Sequence, residues 1–550
     1  MSASDKKKLR KEQKAAMLTE RQKQEQAEAK KLKAYTIGFV AIMLAIVCVV
    51  VGIVTVRGVK NAGLAEKATI AAVIGDRELN SVEFNYYYND AINDFYNAAY
   101  SQSSSNPDTF IQAIYGLDTT KPLNEQIYEE ETGETWADYF INEAINKAKR
   151  DYALTDKAKA EGFTLPEEDK TSVENMVSNM SSFATMYGFS NANQYLRATY
   201  GNGASTKTYK AYYERTLLAQ AFYDAHEADI TYDDAALREY EADNYDDYSS
   251  FTYDSVYLGY TSFQTGGTED EDGKITYSEE ENNAARDAMK AAAEDLATAT
   301  NLEELKAKLA EVKVKEGVTL SVTESKATLF TQIDKDLGEW LAAEDRADGQ
   351  IAAIPVMSDE EEPKLNGYYV AIFHSRDDNK NPMGNVRHLL VEFEGGEEDE
   401  ETGEMVYSEE EKNAAKEKAE GFLKTWQEGE KTEASFTELL KENSDDTGVT
   451  ENEGLYENIN PSSNYVENFR AWAIDPERKE GDTGVIETEY GYHVMYYVGD
   501  SELTYRDHML TEEKRVEDQE AWYNAILEPV TTEKKDTSKL KLDLVLNSAG

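Results

Sequence analysis

Residues 273–289, GKITYSEEENNAARDAM, recur 130 positions later as residues 403–419, GEMVYSEEEKNAAKEKA. In each copy a Ser-x-x-Glu sequence, which begins at Ser278 or Ser408, precedes apolar residues at helical spacing and predicts a capped amphipathic helix. An apolar strand comes before each copy, and a second short helix, a segment with one Trp and a closing strand come after it. The repeat therefore predicts one α+β module, an antiparallel sheet covered by helices, that occurs twice.

The two copies of the module differ in their histidines. The offset of 130 pairs His388 with Leu258, and alignment of the closing strands GYYVAIF and GYHVMYY pairs His493 with Tyr369. The first copy therefore keeps the pattern of strands and helices but lacks both imidazoles. We expect it to be a silent copy that serves for binding or spacing.

An uncharged segment, AYTIGFVAIMLAIVCVVVGIVTV from Ala34 to Val56, separates a basic N-terminus from the rest of the chain. At about 1.5 Å per residue, a helix of this length spans the roughly 30 Å of bilayer hydrocarbon. Positive flanks favour the cytoplasmic side, so we predict a single-pass cell-membrane protein with a cytoplasmic N-terminus and extracytoplasmic domains. A cleaved signal peptide and a lipid anchor on Cys48 are the alternatives for this segment.

The charge and cysteine content exclude several classes of function. The chain carries a net charge of −51, which would repel nucleic-acid phosphates, so basic or unfolded chains are better partners. Its single cysteine excludes internal disulfides and Cys-rich zinc sites. We predict no metal and no cofactor, because a solvated hairpin explains the partial EF-hand spacing of TEDEDGKITYSE, from Thr268, better than a calcium loop does.

Residues 383–500 resemble the parvulin family of peptidyl-prolyl cis/trans isomerases in several separated motifs. VRHLLV resembles the first strand of that family, FTELLKENSDD its second helix with the acidic position that follows, and GDTGVIETEYGYHVMYY its closing strand. The resemblance implies a parvulin fold whose catalytic positions are His388, Asp446, Thr488 and His493.

The segment NEGLYENINPSSNYVENFRAW is similar to the Gly-rich stretch of that family and the hydrophobic pocket after it. This similarity implies a proline-binding socket formed by Leu455, Tyr465 and Phe469. The sequence departs from the family pattern at Asn452, Glu453 and Tyr456, which replace parts of the Gly-rich stretch, and at Tyr465, where the family usually has Met. These departures affect the expected shape of the socket more than the expected fold.

Rotation about an X-Pro bond crosses a barrier of about 18–20 kcal/mol and requires neither a nucleophile nor a metal. It requires an apolar socket for the ring and surroundings that favour the twisted amide. Strand alternation places His388 on one face with Val386, and His493 on one face with Met495, so paired strands would let the imidazoles hydrogen-bond. The histidine pair has either a direct electrostatic role or a structural one, and Asp446 either polarises the site or is an ordinary loop residue.

The order of anchor, helical segment, connector and parvulin module resembles the exported foldases of the PrsA and SurA type. The resemblance implies an α+β protein with a single N-terminal transmembrane helix, a mainly helical chaperone domain and two parvulin-like modules, the first degenerate. The predicted segments are a basic cytoplasmic tail (1–33), the transmembrane helix (34–56), the helical domain (64–248), the degenerate module (249–376), the isomerase module (383–500) and a C-terminal helix with its tail (501–550).

The predicted function is that of an exported foldase that isomerises X-Pro bonds and binds unfolded polypeptides. The first alternative is a holdase in which both modules are inactive, and the second is a surface structural protein or adhesin. The predicted partners are unfolded or newly exported polypeptides and, through one helix, the membrane. The oligomeric state stays open, with a dimer as one option.

Overall fold

The computed structural model describes residues 6–8, 10–11, 58–103, 106–242, 244–269, 273–358, 363–398, 403 and 405–542. The chain divides into two compact units, one formed by Met1–Ile230 with Asp518–Gly550 and the other by Thr231–Glu517. The domain boundaries predicted from the sequence remain predictions.

The first unit is mainly helical. Its elements, in chain order, are helix α1 (Leu64–Ala68), strands β1 (Ile70–Ile74) and β2 (Arg77–Asn80), helices α2 (Ser81–Gln102) and α3 (Pro107–Tyr115), strands β3 (Ile127–Glu129) and β4 (Glu134–Thr135), and helices α4 (Trp136–Glu161), α5 (Glu167–Met186), α6 (Ala192–Tyr200) and α7 (Thr206–Asp229).

The Tyr-rich stretch of α2 packs into the core of this unit. Tyr86, Tyr87 and Tyr88 are almost fully buried, and the Tyr86 ring contacts the rings of Tyr200 and Tyr212 at centroid distances of 5.0 and 5.2 Å. Helix α2 begins at a defined residue because the Asn80 side chain accepts hydrogen bonds from the first backbone amides. These tyrosines therefore hold the helices together.

The second unit contains both modules. Its first part comprises α8 (Asp234–Glu241), β5 (Ser250–Gly259), β6 (Thr268–Glu269), β7 (Ile275–Thr276), α9 (Glu279–Leu296), α10 (Leu302–Leu309), β8 (Thr323–Leu329), α11 (Lys335–Leu341), β9 (Ile351–Met357) and β10 (Leu365–Asp377). Its second part comprises β11 (Pro382–Glu392), β12 (Glu397–Glu398), β13 (Met405–Val406), α12 (Glu409–Glu428), α13 (Glu433–Asn443), α14 (Val449–Asn452), β14 (Leu455–Ile459), α15 (Glu467–Ala473), β15 (Thr483–Thr488) and β16 (Gly491–Thr504).

Helix α16 (Tyr505–Leu527) begins in the second unit and ends in the C-terminal segment of the first. Strand β17 (Thr532–Lys534) then adds to the first unit by pairing antiparallel with β1, so that β1 lies between β17 and β2.

The two modules have the same sheet topology, which confirms the repeat. The strand order is β8-β5-β10-β9 in the first module and β14-β11-β16-β15 in the second. The capping boxes predicted at Ser278 and Ser408 are both present and begin α9 and α12. Each of these helices buries a stripe of small and apolar residues against one face of its sheet.

The closing strands β10 and β16 align as the sequence predicted, so Tyr369 holds the place of His493. In the first sheet Tyr369 pairs with Tyr257, and in the second sheet His493 pairs with Leu390. Tyr257 therefore holds the place of Leu390. The opening strands β5 and β11 are thus related by an offset of 133 residues, not 130.

This offset corrects the predicted counterpart of His388. The residue at its place in the first module is Ser255, whereas Leu258 lies on the opposite face and is fully buried against α9. The 3₁₀ turn Tyr260–Phe263 follows β5 and contains the residues that account for the difference between the two offsets. After this turn, corresponding residues of the two copies are again 130 positions apart. The first module still lacks both imidazoles.

The predicted fold class is wrong in its membrane-spanning part. Among the described residues, no helix is both long enough and apolar enough to cross a bilayer. The longest of them, α4, has 26 residues and carries charged side chains along most of its length. The segment predicted to span the membrane, residues 34–56, lies outside the described residues. The structure supports a mixed protein of helices and sheets.

Candidate active site

The site lies on the face of the second sheet that points away from α12 and α13. On β11, Leu389 and Val391 are buried against those helices, so the intervening His388 and Leu390 point to the other face. On β16, His493 pairs directly with Leu390 and therefore shares that face. Both imidazoles are buried, and strand pairing brings them together.

Hydrogen bonds join the two histidines into a chain of four side chains. The Nδ1 atoms of His388 and His493 are 3.0 Å apart. At one end, Nε2 of His388 is 3.1 Å from Oδ2 of Asp446. At the other end, Nε2 of His493 is 2.9 Å from Oγ1 of Thr488. The four predicted catalytic residues are thus contiguous in the structure.

The loop after α13 holds Asp446 against the opening strand. The backbone amide of Asp445 donates to the carbonyl of Leu390 at 2.9 Å, and the Ser444 hydroxyl accepts from the Leu390 amide at 3.0 Å. The Asp446 carboxylate in turn accepts hydrogen bonds from the amide of Gly448 and the hydroxyl of Tyr456, both at 2.9 Å. These bonds fix the carboxylate in the orientation that reaches His388.

The electrostatics of the chain follow from its burial. The hydrogen bond from His388 holds the pKa of Asp446 well below its usual range, although burial acts against this, so the carboxyl group is ionised at neutral pH. Burial, together with the neighbouring His388, lowers the pKa of His493 to about 3, although the Asp446 charge opposes this. At neutral pH the site therefore contains an anionic Asp446 and a neutral His493.

One set of hydrogen-bond directions fits the three side-chain contacts of this chain when both imidazoles are neutral. One proton must lie between the two Nδ1 atoms. Two protons there would clash, and without a proton the lone pairs of the two nitrogens would face and repel each other. With His493 as the donor there, His388 donates from Nε2 to Asp446, and His493 accepts at Nε2 from the hydroxyl of Thr488. The chain thus fixes both ring orientations.

Three aromatic rings form an apolar socket beside this chain. The centroids of Tyr456, Tyr465 and Phe469 lie 5.5 to 6.0 Å from one another, and the Phe469 ring is 5.1 Å from His388 and 5.5 Å from His493. Phe469 is buried, whereas Tyr465 is 36% exposed at the rim. The cavity has a volume of about 500 Å³ and is lined by these rings, both histidines, Asp446, Leu390, Asn464, Val466, Glu489 and Tyr490.

The sequence prediction placed one socket residue wrongly. Leu455 does not line the cavity, and its neighbour Tyr456 does. In the sheet Tyr456 pairs with Val386, on the face of His388, whereas Leu455 pairs with Arg387 and faces the other way. Once the pairing of β14 with β11 is known, the alternation of side chains along β11 identifies the socket residue, because the partner of Val386 shares the face of His388 and the partner of Arg387 does not.

Thr488 does not line the cavity either and lies behind His493. It ends β15, and Glu489 and Tyr490 form the two-residue turn that connects to β16 at Gly491. A side chain at Gly491 would place its Cβ 2.1 Å from the carbonyl oxygen of Val391, so only glycine lets β16 approach β11 this closely. The sequence prediction missed the turn residues because nothing in their spacing marks them.

The first module has a different set of residues at the corresponding positions. Ser255 and Tyr369 stand in place of the two histidines. The register of β8 places Ser325 at the position of Tyr456. The helix α11 places Leu337 at the position of Phe469, an alignment supported by the equivalent Trp–Arg stacking in each module, Trp340 with Arg346 and Trp472 with Arg478.

Comparison with known proteins places this site within a family domain. Residues 388–499, about a fifth of the chain, match the family model of the rotamase, PPIC-type PPIASE domain. No curated protein matches the chain.

Two solved structures are similar to parts of the chain. One is the peptidylprolyl isomerase PrsA from Bacillus anthracis, with 22% identity, 28% of this chain covered and a TM-score of 0.16; the present chain spans 59% of its length. The other is the foldase protein PrsA from Streptococcus pneumoniae, with 13% identity, 46% of this chain and 79% of that chain covered, and a TM-score of 0.15. From the family match, the chain carries a parvulin, PPIC-type peptidyl-prolyl isomerase domain, and the site described above lies within it.

Proposed function

We propose that the second module catalyses the cis/trans isomerisation of X-Pro bonds in unfolded polypeptides outside the cytoplasm. The observation that carries this proposal is the ring-lined socket of Tyr456, Tyr465 and Phe469 directly beside the hydrogen-bonded pair of His388 and His493. The family match to the PPIC-type domain supports the same reaction.

The socket supplies what the reaction requires. A planar amide is more dipolar than a twisted one, because conjugation moves charge from nitrogen to oxygen. Apolar walls around the proline ring and its bond therefore disfavour the planar state relative to the twisted one. Phe469, which is buried, forms the base of the socket, and Tyr465 closes it at the rim.

The polar chain positions the wall of the socket and sets its charge. A neutral His493 next to the bond adds no charge that would stabilise the planar, dipolar amide. The Asp446 carboxylate is engaged by three hydrogen-bond donors, so it stays on the far side of His388. We assign His388 and His493 direct contact with the bound amide, and Asp446, Thr488 and the hydroxyl of Tyr456 the role of positioning them.

The binding of unfolded clients and the extracytoplasmic location are part of the same proposal. The chain has a net charge of −51 and a single cysteine. Such a charge favours basic or unfolded polypeptides over nucleic acids as partners, and a single cysteine leaves packing rather than disulfides to stabilise the chain.

The test is the refolding of a protein whose slow phase is limited by proline isomerisation, a process of tens of seconds without catalyst. The full chain should accelerate that phase, and Phe469→Ala should abolish the acceleration. Leu337→Ala, the corresponding change in the first module, is the matched control and should keep it. Tyr465→Ala, at a partly exposed position, provides a second socket variant that keeps the buried core intact.

The outcomes separate isomerase from holdase. If the wild-type chain suppresses aggregation of the client but leaves the slow phase unchanged, the isomerase proposal is wrong and the binding-only alternative holds. If Leu337→Ala abolishes acceleration as completely as Phe469→Ala, the reaction does not belong to the second module.

A further inference from the structure

The turn between β15 and β16 places an acidic and an aromatic side chain at the mouth of the socket. Glu489 and Tyr490 are the two residues of this turn, and both line the cavity next to His493. Tyr490 is 61% exposed, and Glu489 is also exposed. Because the strands on either side are paired up to Thr488 and Gly491, the backbone of this turn is held at the mouth of the cavity.

The charges that line the cavity are all negative in the described part of the chain. They belong to Asp446 and Glu489, and no described Lys or Arg contributes to the lining. Asp446 is occupied by its hydrogen bonds to His388, Tyr456 and a backbone amide. The Asp446 carboxylate therefore already has its hydrogen-bond partners within the protein.

The charge of Glu489, in contrast, is available to a ligand. No described Lys or Arg forms an ion pair with it. Lys412 lines a neighbouring cavity that Glu489 also reaches, but this lysine pairs with Glu487 at 3.5 Å. Glu487 in turn accepts a hydrogen bond from the hydroxyl of Tyr492 at 2.8 Å, which holds it away from the socket.

We propose that Glu489 and Tyr490 select clients in which a Lys or Arg directly flanks the proline. This inference rests on the proposed isomerase function and adds the class of substrate to it. With the proline ring in the socket, the neighbouring residue of the client lies at the mouth, where Glu489 offers a countercharge and Tyr490 offers a ring face for the cation. An acidic residue at the same place meets the carboxylate of Glu489 and is repelled by it.

The expected preference is moderate because the turn is exposed to solvent. An exposed ion pair and an exposed cation–π contact together favour a basic flanking residue by about three- to tenfold over alanine. The contacts act on substrate and transition state alike, so the effect should appear mainly in KM. Higher salt should weaken the preference because it screens exposed charges.

The experiment compares short peptides with the full chain as catalyst. The residue before the proline, and in a second series the residue after it, is Lys, Ala or Glu, and kcat/KM is measured for each peptide. Glu489→Gln should bring the Lys-to-Ala ratio close to one. Glu502→Gln, an exposed acid on β16 outside the cavity, is the control and should leave both ratio and rate unchanged.

Anisotropy of the same peptides, labelled with a dye, gives the binding preference independently of catalysis. A Lys preference in either series that disappears in Glu489→Gln supports the proposal. Equal binding of Lys and Ala peptides, or a preference that survives Glu489→Gln, overturns it. If peptides bind with the expected preference but none is isomerised, the proposed function fails while the assignment of Glu489 stands.

Discussion

Acidification from about pH 7.5 to about pH 4.5 should destabilise the second module through the buried His493. Burial and the neighbouring His388 lower the pKa of this imidazole to about 3, against the effect of Asp446, whereas a histidine in an unfolded chain titrates near about 6.5. A lowered pKa means that the unfolded chain binds the proton first, so stability is lost as the pH falls below about 6.5. At about pH 4.5 this linkage amounts to about 3 kcal/mol.

Hydrogen exchange of backbone amides, read by mass spectrometry on peptides from residues 388–499, measures this effect in the intact chain. Exchange rates are corrected for the intrinsic rate at each pH. The substitution His493→Phe keeps an aromatic ring at this position and removes the titrating group. Over this pH range, the free energy of opening should therefore fall by about 3 kcal/mol less in His493→Phe than in the wild type. Acidic groups that titrate in the same range cancel, because both proteins contain them.

His374 provides a control with the opposite sign. Burial disfavours its charged form, but its hydrogen bond to Asp254, 2.7 Å from Nε2 to Oδ2, and the nearby charge of Asp348 outweigh this and raise its pKa. A raised pKa contributes stability at low pH that is lost as the pH rises. His374→Asn should therefore make the first module more sensitive to acid.

For His493, identical pH dependence in wild type and His493→Phe would refute the assignment of a buried neutral imidazole.

Four further variants test the geometry of the modules. Tyr456→Phe removes the hydroxyl that donates to Asp446, so it should destabilise the second module by about 1–2 kcal/mol in denaturant unfolding and slow catalysed refolding; unchanged values would contradict a positioning role. Gly491→Ala should cost about 2 kcal/mol or more because its Cβ meets a backbone carbonyl, and an unchanged unfolding midpoint would exclude the observed strand register. Leu258→Ala should cost about 2–4 kcal/mol and Ser255→Ala about 1 kcal/mol or less in the same assay, whereas equal costs would contradict the faces assigned to them.

Local patterns in the sequence predicted the opening strand, the first two helices and the closing strand of the second module. The capping boxes at Ser278 and Ser408 are local signals, because the cap and the third helical residue contact each other directly. The period of two along a strand is equally local, and it correctly placed His388 with Val386 and His493 with Met495. The repeat itself, read from similar residues, correctly predicted two sheets of one topology.

Two predictions failed where an inference had to cross from one strand to another. The counterpart of His388 was predicted as Leu258, because the offset of the helices was applied to a strand that a 3₁₀ turn shifts by three residues. The socket residue was predicted as Leu455, one position from Tyr456, because the pairing of β14 was not known. A shift of an odd number of residues moves a side chain to the opposite face of a sheet, so small errors in alignment exchange core and site.

By itself, the sequence determined the opening and closing strands and the first two helices of each module, that the module occurs twice, and that only the second copy carries the two histidines. These properties depend on contacts between near neighbours and on the periods of helix and strand. Only the tertiary structure decided that Tyr456 completes the socket, that Thr488 supports His493 from behind, and that Glu489 and Tyr490 stand at the mouth. Each of these depends on the register between strands that are distant in sequence, which hydrogen bonding across the sheet sets and no local pattern encodes.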